Sequence, residues 1–219
     1  MSGEDMPAVA AVAVALFAGY VCGALPWGLW IGRAARGIDI REHGSKNLGA
    51  TNVYRTLGPG LGVMTLLLDI AKGAVPVALV PGLAISRAFP GGHSWCAVTV
   101  AVAAVLGHLF TVFAGFRGGK GVATTVGVLL ALSPLACLVF LVVFLATLLV
   151  TRYVSLGSVL GAIAFSVSLA WLAPGGWRDP VFGLGVLLAA LVIARHHENL
   201  RRLVRGGERK FSFAREGKP

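Results

Sequence analysis

Apolar residues in this chain come in blocks long enough to cross a bilayer, and that constrains the fold more than any other feature. Residues 8–31, 98–113 and 135–150 are nearly free of charge. A helix needs about 20 apolar residues to span the hydrocarbon core, and fewer where its flanks adjust. Several such blocks in 219 residues exclude a soluble core and leave room for about seven spans joined by short loops. Only 13% of the residues are charged, where a soluble domain carries about a quarter. The expectation is one all-α, polytopic membrane domain over residues 1–219. The first block is read as a retained helix and not a signal peptide. Glu4 and Asp5 precede it, no Lys or Arg occurs before Arg33, and the run stays apolar too long.

Helices are expected at about 8–33, 60–82, 95–114, 122–132, 135–151, 156–173 and 181–197. The fourth is short enough to be half-buried and not fully spanning. Ser133-Pro134 and Asp179-Pro180 each offer a capping side chain before a proline at the first helical position. Small pairs at Gly19/Gly23, Gly28/Gly32 and Gly157/Gly161 suit close helix packing. Of the 19 basic residues, 16 fall in alternate loops and the C-terminal tail. The excess of positive charge then predicts an outside N-terminus, a cytoplasmic C-terminus and an odd number of spans. The formal net charge of +10 suits basic loops and a basic tail, 205–219, held against anionic headgroups. Membrane lipids are therefore expected partners, and nucleic acid is not.

Three segments carry polar groups that headgroup contact does not explain. Residues 39–55 gather Ser45, Asn47, Thr51, Asn52 and Arg55 beside glycines that let backbone N–H groups approach a ligand. Arg55 has the fork geometry to grip a phosphate with two bonds. Residues 116–125 place Gly118, Gly119, Lys120 and Gly121 directly before an apolar helix, an arrangement suited to an anion. It is not a nucleotide-binding P-loop, because Ala114 stands at the first glycine position and Gly121 follows the lysine. At the end of the last helix, His196 and Asn199 are three apart and share a face. Ser155, in the turn after Arg152, is read as a further wall of the site. Asp69 and Lys72, also three apart, are read as a mutually neutralising pair within a span. His108 is read as a packed, hydrogen-bonded side chain. Cys22, Cys96 and Cys137 have no metal or redox spacing, so neither a metal nor a cofactor is expected.

Read together and in order, residues 44–55 with 69–73, residues 107–124, residues 152–156 and residues 196–202 resemble the signatures of the bacterial membrane acyl-phosphate:glycerol-3-phosphate acyltransferases. Lys46 replaces a glycine common in that family, and Ala24 with Trp27 varies its first-helix pattern. The resemblance implies acyl transfer from acyl phosphate to glycerol 3-phosphate, giving lysophosphatidic acid and phosphate at the start of phospholipid synthesis. It implies functional roles for Ser45, Arg55, Lys120, His196 and Asn199, a phosphate cradle over 118–121, and a multi-pass location in the bacterial inner membrane with the site facing the cytoplasm. A transporter would instead place its site near the midplane between repeated halves. Here the polar groups crowd one face and no repeat is evident.

Overall fold

The computed structural model describes residues 6–83 and 85–212, so Glu4, Asp5 and the tail beyond residue 212 lie outside the described residues. Among those described, regular structure is entirely helical. The chain forms two compact units divided between Leu132 and Ser133.

The first unit begins with α1 (Ala8–Ala24) and α2 (Trp27–Arg36), which together make one apolar span interrupted at Leu25-Pro26. Proline at 26 has no N–H for the helical ladder, so the expected continuous helix breaks there. A polar stretch follows and contains a 3-10 turn at Ile40–Glu42 and α3 (Ala50–Leu57). Then come α4 (Pro59–Leu79), the short α5 (Ile85–Ala88), α6 (Gly92–Leu109), a 3-10 turn at Val112–Ala114, and α7 (Val122–Leu132). The second unit is α8 (Pro134–Thr151), α9 (Val154–Leu172), α10 (Pro180–Arg195) and α11 (His197–Val204).

Five of these segments are long and apolar enough to cross a membrane, and α10 with α11, bent by 56°, makes a sixth if taken as one span. The fourth expected helix, α7, has 11 residues. At 1.5 Å per residue it reaches only about 16 Å, roughly half the hydrocarbon thickness.

Lipid tails are as apolar as leucine, so these helices hold together by close packing and not by escape from water. Glycines supply the closeness. A Cβ at Gly23 would overlap the Ala104 carbonyl where α1 meets α6, and one at Gly73 or Gly127 would overlap the Thr124 or Ile70 carbonyl where α4 meets α7. In the second unit Gly157 and Gly161 receive the rings of Phe144 and Phe140. Phe17, Leu67, Leu149 and Trp171 remain exposed on the helix surfaces, as lipid-facing side chains should.

Asp69 and Lys72 form their pair on α4 at 2.7 Å, both side chains almost wholly buried. The Lys72 ammonium also donates to the Leu25 carbonyl (2.7 Å) that the Pro26 break exposes. Of the two expected capping residues only one acts through its side chain. Asp179 Oδ1 accepts from the Val181 N–H at 2.8 Å, whereas Ser133 makes no side-chain cap and serves through its carbonyl, which accepts from the Cys137 N–H.

Candidate functional site

The polar stretch after α2 is an ordered loop built around one amide. Asn52 is buried, and its Nδ2 group lies within bonding distance of the carbonyls of Ile40 (3.1 Å), His43 (3.1 Å) and Asn47 (2.9 Å). Its Oδ1 accepts from the Ser45 N–H at 2.8 Å. Asn47 in turn accepts the Gly49 N–H at 2.9 Å and so closes the turn that starts α3. The structure thus uses Asn52 and Asn47, two of the expected binding residues, to shape the loop. Lys46 within it takes a left-handed backbone (φ 58°) and is exposed, as is Ser45. Thr51 and Arg55 are four residues apart on α3, one turn along the same face, and both are half-buried.

Arg41 fastens this loop to the next segment. Its guanidinium binds Asp39 through both carboxylate oxygens (2.9 and 2.6 Å) and donates to the Ala114 carbonyl at 3.0 Å. The hydrogen bond and charge of Arg41 hold the Asp39 carboxyl well below the usual carboxylate range. Leu29, Ile40, Leu48, Val53 and Ala114 pack into a buried cluster beneath the same junction.

The glycine segment that follows is docked on the end of α6. The Gly118 and Gly119 N–H groups donate to the carbonyls of Leu109 (3.1 Å) and His108 (3.2 Å), satisfying acceptors that the helix end leaves open. No side chain fits there, since a Cβ at Gly118 would overlap the His108 carbonyl and one at Gly119 the His108 ring. Those two amides are therefore spent within the protein. The half-buried Lys120 comes next, followed by Gly121 (φ 83°) and the first turn of α7. His108 is packed as expected, buried with Nδ1 3.1 Å from the Thr124 hydroxyl. A cavity of about 10 Å³, room for one water, lies beside Leu25, Leu48, Lys72, His108 and Gly119.

In the second unit His196 sits at the bend between α10 and α11 and is 3% exposed. Its Nδ1 lies 2.8 Å from the Val192 carbonyl. A carbonyl only accepts, so the proton is on Nδ1 and the neutral ring has Nε2 as its basic nitrogen. Asn199 and Ser155 meet on a residue the sequence reading passed over. Asn199 Nδ2 and the Ser155 hydroxyl both donate to Glu208 Oε1 (2.6 and 2.8 Å), and Arg202 Nε donates to Oε2 (3.0 Å). Burial works against charge on Glu208, but these three bonds outweigh it and lower its pKa. The sequence marks its position but not its role: Glu208 is the lone acid between residues 199 and 212 and follows two helix-ending glycines.

Comparison with known proteins supplies the frame for these clusters. The family model described as glycerol-3-phosphate acyltransferase matches residues 13–206. A protein named glycerol-3-phosphate acyltransferase in Geobacter sulfurreducens is 45% identical over 192 residues, covering 88% of this chain and 93% of its own. One of the same name in Desulforudis audaxviator is 45% identical over 213 residues, 94% of this chain and 99% of its own. The crystal structure of PlsY described as an integral membrane glycerol 3-phosphate acyltransferase, in its glycerol 3-phosphate form, superposes with a TM-score of 0.81 at 38% identity, covering 92% of this chain and 96% of that one. Its lysophosphatidic acid form superposes with a TM-score of 0.79 at 37% identity, covering 92% and 95%.

Proposed function

The chain belongs to the glycerol-3-phosphate acyltransferase family, and on that premise we propose that it moves an acyl group from acyl phosphate to glycerol 3-phosphate. The products are 1-acyl-glycerol 3-phosphate and inorganic phosphate. The observation that carries the reading is the docked glycine segment: with Gly118 and Gly119 fixed to α6, Lys120 and the start of α7 are held in place before any ligand arrives. Donors that need no rearrangement stabilise developing charge best. Lys120 and Arg55 are assigned to phosphate groups, Ser45 and Thr51 to supporting hydrogen bonds, and Gly118, Gly119, Gly121, Asn47 and Asn52 to the backbone that shapes the two loops. Ser155, His196 and Asn199 are assigned to the acceptor.

Acyl phosphate is already an activated mixed anhydride, so no covalent enzyme nucleophile is required. The terminal hydroxyl of glycerol 3-phosphate attacks the acyl carbonyl, the carbon–oxygen bond to phosphate breaks, and the hydroxyl proton passes to the departing phosphate. His196 Nε2, the basic nitrogen left by the Val192 contact, is the group that can carry that proton on the way. Cationic loops facing the cytoplasm from the bacterial inner membrane would meet a soluble phosphate ester on one side and an acyl chain in the bilayer on the other.

The test uses purified protein in lipid with glycerol 3-phosphate and either acyl phosphate or acyl-coenzyme A. Product and phosphate from the first donor alone are expected; product from acyl-coenzyme A alone, or from neither, overturns the proposal.

A further inference from the structure

The tail beyond α11 does more than carry charge. Gly206, with a left-handed φ of 73°, stops the helix; its N–H bonds the Leu203 carbonyl (3.1 Å) and that of Gly207 bonds Arg202 (2.8 Å). This reverses the chain and lays Glu208 back against α11. Three residues on, the Phe211 N–H donates to the Arg152 carbonyl at 2.7 Å, so the strap is fixed at both ends. The Glu208 side chain is 7% exposed, and its two oxygens take the bonds from Asn199, Ser155 and Arg202.

A carboxylate can only accept, so the Asn199 amide must face it with nitrogen. That removes the usual freedom of a carboxamide to turn over and directs Oδ1 away from Glu208. It also sets the chemistry of this corner. A buried anion repels a phosphate, whereas an amide oxygen of fixed direction suits a hydroxyl donor. Resting on the acyl-transfer reading above, we propose that Glu208 is a positioning residue that holds the Asn199 carboxamide so that its oxygen receives a hydroxyl of glycerol 3-phosphate. The acceptor's specificity as a polyol is then set through Asn199.

A clasp that served only to tie down the tail would affect stability and every kinetic constant alike. The experiment therefore measures phosphate release and glycerol 3-phosphate binding for wild type, Glu208→Ala, Glu208→Gln, Asn199→Ala and the Glu208→Ala/Asn199→Ala double variant. Glu208→Ala is expected to lower kcat/KM for glycerol 3-phosphate by about 10-fold or more while leaving KM for acyl phosphate unchanged. The double variant should be no worse than Asn199→Ala, because Glu208 acts through that residue. Glu208→Gln keeps an acceptor oxygen and should recover most of the loss. If Glu208→Ala does not fold, Glu208→Asp, whose carboxylate is withdrawn by one methylene, takes its place. Additive losses, a rise in KM for acyl phosphate, or wild-type kinetics in Glu208→Ala would each overturn the inference. Absence of phosphate release from wild type overturns the functional reading instead, and undiminished glycerol 3-phosphate binding by Glu208→Ala then decides against the positioning role on its own.

Discussion

Lys120 and Arg55 are the cations that the proposed reaction assigns to phosphate groups. Asn52, Asn47, Gly118 and Gly119 spend their hydrogen-bonding capacity or their space on loop shape. The two long cations sit half-buried just before α7 and on α3, beside those shaped loops. Lys120→Ala and Arg55→Ala are each expected to reduce kcat/KM by about 100-fold or more while the protein remains folded and extractable from membranes. Near-normal turnover in either would remove that residue from the site. Both cations were legible in sequence as candidates because a cation beside glycines is an unusual pattern in a membrane loop. Glu208 was not, because its meaning depends on a chain reversal that brings residue 208 onto Asn199 and Ser155. The spent amides of Gly118 and Gly119 were hidden for a similar reason, since a glycine run reads the same whether its N–H groups face a ligand or a helix end.

At the scale of elements, apolar length and proline position told most of the story. The bounds expected for the fourth helix, 122–132, match α7. Pro26 split the first expected helix, and α3 escaped notice because its eight residues, half of them polar, carry no apolar run. The two proline-led starts show how little a motif fixes alone: Asp179 caps α10 with a carboxylate oxygen, and Ser133 does not cap α8 with its hydroxyl. Asp179 has a second bond as well, from the Gly175 N–H at 3.2 Å, which ties the preceding turn to the helix start. Asp179→Ala is therefore expected to destabilise the second unit by about 1 kcal/mol, and Ser133→Ala by much less. Thermal unfolding in detergent compares the two directly, and equal shifts would show that the cap bond contributes little.

Across the whole molecule, the distribution of positive charge makes a claim that neither loop geometry nor helix length tests. With 16 of 19 basic residues in alternate loops and the tail, the C-terminus is expected in the cytoplasm and the N-terminus outside. A fluorescent protein that matures only in the cytoplasm should light up when fused after residue 219 and stay dark when fused before residue 1. The reverse pattern would place the cationic loops on the wrong side for a cytoplasmic substrate. Within the hydrocarbon the accounting is different, for Asp69 and Lys72 face each other at 2.7 Å with almost no exposure. A single charge held at that depth would feel the transmembrane voltage, at about 2.3 kcal/mol per 100 mV for a full crossing. A pair that cancels itself within one helical turn presents the field with almost nothing to pull on. A helix built this way can keep its geometry through swings in membrane voltage.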